Sequence, residues 1–405
     1  MKFSLRVMLQ VIGCFSLIPA DADVDIKGYL DTYQSIGLRE PHRFMGSRTR
    51  IRLEGDFSLG DAWAFGSINA VYNHVLEQET GINLREAYVG WAADCFDLKA
   101  GNQIIIWGHS EGLYVTDNIS PKDYSEALAR DFDDMRIPVT AFRGRVLLGM
   151  FTGEFVWLPV FTPAVVPYRQ KGISGDQDEN PWAIPIDAAL PAGKSPLPAK
   201  KLENSEIGVK LSLSASALDI AFSGLYTWDD IPVMHLSDAG IYPRYHRLAI
   251  WGIDAGIPIG IMVIRCEAAL RLNDFFATRS GEQKSKTGVV GLAALDLSPG
   301  NDWNLSMQVH DTYITEYNSS FVAPHHDAYA TLRISKELFR NTLTLSSMLF
   351  YGFDKNDSYC RISSKYALND AISISAGVDL FDGKNGTFGQ YAQNDAGFIE
   401  CRYDF

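Results

Sequence analysis

The chain lacks most of the features that mark soluble enzymes and nucleic-acid-binding proteins. Only five of its 405 residues are cysteine, none in a CxxC pair, which excludes a dithiol redox motif; without CxxCH there is no covalent c-type haem. Three of Cys95, Cys266, Cys360 and Cys401 lie inside alternating segments far apart in sequence and read as small apolar side chains rather than as disulfides. Bases number 36 against 49 acids, a formal charge of −13, and a nucleic-acid partner would favour the opposite sign. His-Glu-x-x-His is absent and the eight histidines are scattered, so neither metal nor cofactor is expected, and His325–His326 reads as a solvated pair. Residues 23–405 hold no run of about 18 apolar residues, which excludes a membrane-spanning helix there. No repeat of about 20–50 residues occurs, which excludes a solenoid, and no long amphipathic helix competes with the pattern below.

Lys2 and Arg6 precede an apolar run from Val7 to Pro19, and Ala20-Asp21-Ala22 has the small-x-small form of a signal-peptidase site. Residues 1–22 are therefore expected to be an export signal and 23–405 a single domain. "VIGC" ending at Cys14 has the form of a lipoprotein box, but the apolar stretch before it is too short.

From there on, apolar and polar residues alternate with period two. Thr49, Ile51, Leu53, Gly55 and Phe57 interleave with Arg48, Arg50, Arg52, Glu54 and Asp56, the signature of a strand with unlike faces. About eighteen such segments occur, near 24–37, 47–59, 61–75, 82–94, 96–107, 135–148, 150–161, 204–215, 217–229, 245–255, 257–273, 285–298, 302–315, 326–337, 341–353, 357–368, 370–381 and 395–405. Tight turns follow the even-numbered segments and longer polar loops follow most odd-numbered ones. Short periplasmic turns and long outer loops are the plan of a transmembrane antiparallel β-barrel, and an unpaired edge is not tolerated in hydrocarbon. The fold class expected is all-β, such a barrel of about eighteen strands, or sixteen. A β-sandwich also alternates, but rarely with strict short-long parity.

The segment Ile399, Cys401, Tyr403 and Phe405 alternates to its last residue, as a strand does when it must seal against the first. It also resembles the C-terminal signal of Gram-negative outer-membrane proteins, which implies that Tyr403 and Phe405 serve the barrel-insertion machinery. The run "GNQIIIWGHSEGLYVTDNISPKD" and, more weakly, "VWLPVFTP" resemble segments of an incompletely characterised family of Gram-negative outer-membrane porin-like barrels. That resemblance implies an outer-membrane location.

Eighteen strands enclose a lumen wide enough for water, so function rests on what narrows and charges it. The third outer loop, 108–134, carries Asp117, Asp123, Glu126, Asp131, Asp133 and Asp134 among its acids. Ser120, Pro121 and Asp123 look like a helix start, and a short helix over about 121–130 is expected, with Tyr124 and Leu128 on one face. The order of elements is similar to that of general porins, whose third loop folds inward as a constriction. Arg48, Arg50 and Arg52 must point into the lumen, because each would cost about 2–4 kcal/mol facing lipid; Lys210 and Arg333 are also inward. The expectation is a transverse field between this basic wall and the acidic loop, although wall charges that merely pair with neighbouring strands are an equal reading. Trp107 suits the aromatic belt. Residues 162–204 hold Pro163, Pro167, Pro181, Pro185, Pro191, Pro196 and Pro198, a stiff fourth loop suited to capping the mouth.

These readings converge on a non-enzymatic outer-membrane porin for passive diffusion of small hydrophilic or charged solutes. Its expected partners are membrane lipids, the insertion machinery and the solute, with a homo-oligomer also open. The alternatives are a barrel sheathing a partner such as a periplasmic cytochrome, or an export channel for lipid. "GHSEG" matches a nucleophile elbow with Ser110 at its centre, but that motif needs a strand-to-helix turn of an α/β sheet.

Overall fold

In this computed structural model, residues 23–110, 112–126, 130–170, 180–186, 196–237 and 240–405 are described; the expected signal 1–22 lies outside them. The first strands are β1 (Asp23–Gly37), β2 (Phe44–Leu59), β3 (Ala62–Asn73), β4 (Gly81–Ala93), β5 (Phe96–Gln103), β6 (Val139–Leu148) and β7 (Phe151–Leu158). Two short strands in the fourth loop, β8 (Tyr168–Gln170) and β9 (Ile184–Ile186), pair with each other. The chain continues through β10 (Glu206–Ala215) and β11 (Leu218–Trp228), then an outer hairpin of β12 (Val233–Ser237) and β13 (Gly240–Arg244). It goes on with β14 (Arg247–Ile259), β15 (Met262–Ala277), β16 (Gln283–Gly300), β17 (Trp303–Ile314) and β18 (His326–Leu338). The last strands are β19 (Leu343–Gly352), β20 (Asp357–Ala367), β21 (Ile372–Asp382) and β22 (Ala396–Asp404).

Eighteen of these strands form one antiparallel sheet that closes on itself, because β1 pairs with both β2 and β22. Each segment expected from the alternation is a barrel strand. The closing ladder runs from Tyr29 opposite Asp404 to Gly37 opposite Ala396. Phe405 extends it: its N–H donates to the Gly28 carbonyl at 2.9 Å and its carbonyl accepts from the Gly28 N–H at 2.8 Å. A β-carbon on Gly28 would lie 2.5 Å from the Arg52 carbonyl oxygen and 3.0 Å from the Phe405 ring, so the seam requires glycine there.

Period two sets what faces out. Ile51 and Leu53 are 43% and 49% exposed, while Arg48, Arg50 and Arg52 between them are 5–8% exposed. The buried apolar residues lie inside the barrel, in two clusters. In one, the loop between β5 and β6 packs on the inner wall. In the other, aromatic residues of β19, β20 and β21 gather with Trp182 of the fourth loop.

Two local expectations fail. Residues 121–126 are bridges and turns rather than a helix. Lys122 pairs with Arg136 and Asp123 with Val165, so the loop backbone is satisfied across the chain and not along it. Residues 127–129 of the expected helix, Leu128 among them, lie outside the described residues. The strand expected over 96–107 ends at Gln103, and Trp107 is 2% exposed inside the lumen instead of in the aromatic belt. The alternation of 104–107 is used against the inner wall.

Candidate functional site

The third loop, 104–138, crosses the lumen and is fastened at both ends. Its first half is held by apolar contact: Ile105, Trp107, Val115 and Ile119 pack against inward residues such as Val156, Leu225, Ile250 and Leu292. A β-carbon on Gly208 would sit 2.8 Å from the Trp107 ring, so that glycine makes room for the indole. Three wall carboxylates fix the polar atoms. The Trp107 indole N–H donates to Glu154 at 2.7 Å. Glu267 accepts from the His109 N–H, the Thr116 N–H and the Thr116 hydroxyl at 2.7, 3.2 and 2.9 Å. Asp254 lies 3.2 Å from His109 Nε2 and 3.3 Å from Lys210 Nζ.

The second half meets the arginine row. Arg48 pairs with Glu126 at 2.6 Å, and Arg50 pairs with Asp31 at 2.6 Å and Asp134 at 2.7 Å. Arg52 reaches Asp134 at 2.9 Å, with Arg85 3.5 Å from the same carboxylate. Within the loop, Arg130 holds Glu126 and Asp123 at 2.7 and 2.5 Å. Arg136 holds Asp117 and Asp133 at 3.0 and 2.6 Å, and Lys122 stands 3.5 Å from Asp117. Burial pushes the Glu126 carboxyl up, but Arg48 and Arg130 outweigh it and hold it at about 2. Asp134 is likewise held well below the usual carboxylate range: burial opposes the shift and Arg50, Arg52 and Arg85 drive it.

No water-filled gap therefore separates the arginine row from these loop acids, as a transverse field would need. The arginines are anchors. A buried guanidinium is tolerated only when paired and hydrogen-bonded, so the loop lies on the β1–β4 wall.

The open space lies beside the loop and touches the arginine wall at Arg48 and Arg52. A cavity of about 960 Å³ is bounded by Arg130, Asp131 and Phe132 of the loop and by the opposite wall, where Arg333, Arg361 and several serines face inward. A second space of about 1040 Å³ continues toward Phe405 and is lined by Asp131, Phe132, Asp133, Asp134 and Arg333. Of the residues singled out in sequence, Asp131 and Arg333 line both spaces, Arg48 lines the first and Arg52 the second, each while paired. Asp117, Asp123, Glu126 and Asp134 are fasteners, and the Asp133 carboxylate reaches solvent from its pair with Arg136. Tyr403 and Phe405 lie on the outer face, 46% and 52% exposed.

Trp182 brings the fourth loop down into the barrel. It is 2% exposed, its indole N–H donates to the Met45 carbonyl at 2.9 Å, and its own carbonyl accepts from the Tyr391 hydroxyl at 2.9 Å. Asn180 donates to the Ser125 carbonyl at 2.7 Å, which ties the two loops together. Pro191 lies outside the described residues.

Sequence reasoning passed over Arg85, Glu154, Asp254, Glu267 and Trp182. The first four are charges on inward strand positions, a signal the alternation does carry. Ser110 does not complete an elbow: its buried hydroxyl has no hydrogen-bond partner among the described residues, and His109 is turned to Asp254.

No protein-family model matches the chain, and no curated protein does. Among solved structures it is similar to Pseudomonas aeruginosa OccK11 (OpdR), with a TM-score of 0.55 at 9% identity over 95% of this chain and 96% of that one. Salmonella typhi OmpF, in complex with daunomycin, gives 0.48 at 9% identity over 94% and 97% of the two chains. A mutant of the Rhodopseudomonas blastica porin gives 0.46 at 12% identity over 95% and 100%. The fold of the chain is thus a closed antiparallel barrel of the kind seen in OccK11 (OpdR).

Proposed function

We propose that the chain is an outer-membrane channel, not an enzyme, through which small hydrophilic solutes diffuse passively. The observation that carries this reading is the polar space left beside a loop fastened across a barrel wide enough for water. Such a loop fixes the bore without moving parts. A periplasmic cytochrome would have to displace it from two walls at once, and the serines and arginines of the open side do not suit lipid. Lipids, the insertion machinery and a homo-oligomer belong to the same reading.

The channel favours cations. Of the arginines lining the first space, Arg48, Arg130, Arg265 and Arg361 each sit in an ion pair with an acid, and Arg333 is also engaged. Among the described lining residues, the acids outside such pairs are Asp131, Asp219, Glu337 and Glu400, against Lys365 among the bases. Acidic rings select cations in a water-filled pore. Purified protein in a planar bilayer tests this: discrete current steps with a cation-favouring reversal potential support it, and a silent protein overturns it.

A further inference from the structure

The outer surface of the barrel is not uniformly convex. Across β17 to β21 a groove of about 800 Å³ opens to the outside, lined almost wholly by apolar atoms. The strand register explains it. Trp303, Lys336, Leu345, Ser364 and Ala376 fall in one row across the sheet, and Ile334, Ser347, Ile362 and Val378 fall in the next. Ser364 and Ala376 thus lie between Leu345 and Ile399 in the first row and Ser347 between Ile334 and Ile362 in the second, leaving a trough at the end of the strands where the tight turns lie.

One end of this trough is charged. Lys336 Nζ lies 5.5 Å from the centre of the Trp303 ring and donates to the Asn301 carbonyl in the turn between β16 and β17. Arg340 sits in the turn that follows β18. A lysine and a tryptophan side by side at the rim are the pair expected where a strand meets lipid headgroups. The Ser364 hydroxyl donates to the Ala376 carbonyl at 3.5 Å, and that of Ser347 would otherwise face hydrocarbon.

We propose that this trough binds an anionic phospholipid. An acyl chain lies along Ile334, Ile362 and Val378, the phosphate rests on Lys336, and the ester oxygens accept from Ser347. Charge complementarity selects this occupant: two copies of the chain meeting here would set Lys336 against Lys336 in a low dielectric.

Trp303 reports on the site directly. The full chain is reconstituted into vesicles in which a minor fraction of the lipid carries brominated acyl chains, which quench tryptophan on contact. The Trp303 contribution is taken as the difference from Trp303→Phe. Brominated phosphatidylglycerol is expected to be about fivefold enriched over brominated phosphatidylcholine at the site, the effect of one basic residue on an anionic lipid. Lys336→Gln removes that preference without abolishing quenching, and Ala376→Leu weakens quenching by both lipids. Equal quenching by the two lipids in the wild type, or a preference that survives Lys336→Gln, overturns the proposal. So does a Trp303 shielded from both, with cross-linking between copies through this face.

Discussion

At the scale of single residues, Glu126 is where the loop and the wall are joined. It is 2% exposed and accepts from Arg48, Arg130 and Asn73. Glu126→Gln keeps the shape and removes the charge, leaving the buried Arg48 guanidinium without its acid while Arg130 keeps Asp123. Breaking such a pair costs about 3–5 kcal/mol, enough to free this end of the loop while the barrel stays closed. The expected outcome is faster amide hydrogen exchange over residues 112–138, with exchange in the strands unchanged. The pH dependence follows from the same pair. A carboxyl depressed in the folded state contributes stability that is present above its unfolded value and is lost as pH falls through the folded one. With Glu126 at about 2 and Asp134 also low, that contribution is complete near neutral pH. Exchange over 112–138, after correction for the intrinsic rate, is therefore expected to be the same at pH 7 and pH 6 and to rise progressively as pH falls below about 4.5 toward 2. The inward direction of Arg48, Arg50 and Arg52 was legible because period two leaves no choice. Their partners were legible only in part: Asp31 on the neighbouring strand pairs with Arg50, whereas Glu126 and Asp134 lie about 80 residues away in a loop whose path no local pattern encodes.

At the scale of elements, the strands and the loops were legible to different degrees for one reason. A strand in a closed barrel has its neighbours supplied by the sheet, so alternation alone places it. A loop takes its conformation from what it touches. Ser120, Pro121 and Asp123 carry the local marks of a helix start, yet the backbone at 122 and 123 is taken by Arg136 and Val165, and tertiary pairing overrides propensity. The hairpin β12–β13 shows the same dependence. His235 Nε2 lies 2.9 Å from His246 Nε2, and burial, then the His235 and Arg244 charges, lower His246 to about 4. Both rings must not be charged, so the unfolded hairpin binds protons more readily than the folded one. Stability of this hairpin is expected to fall as pH drops from about 6.5 toward 4, read as increasing protease nicking within 229–246 that His246→Gln suppresses. For β22, removing Phe405 deletes both hydrogen bonds to Gly28. Loss of heat-modifiable mobility with export intact is expected, and unchanged insertion would count against a role in assembly.

At the scale of the whole molecule, the count of eighteen strands and the closure of the ends followed from parity and from the edge rule. The interior was less legible, because whether an acidic loop faces a basic wall across water or lies against it depends on distances that sequence does not hold. On the reading proposed above, the paired arginines do not draw anions, and the acids facing the open side decide. Neutralising two of those acids, Asp131→Asn with Glu400→Gln, is expected to move the reversal potential toward anions without changing the strand count or the closure. Replacing Arg48, Arg50 and Arg52 together by serine is expected to release the loop and raise current noise instead of producing a simple shift in selectivity.

The most direct measurement is single-channel recording in a salt gradient on the intact chain and on a variant lacking residues 109–134. The account predicts a cation-favouring reversal potential for the intact chain and a clear rise in conductance when the loop is removed. Equal conductance with and without the loop, or an anion-favouring potential in the intact chain, would contradict it.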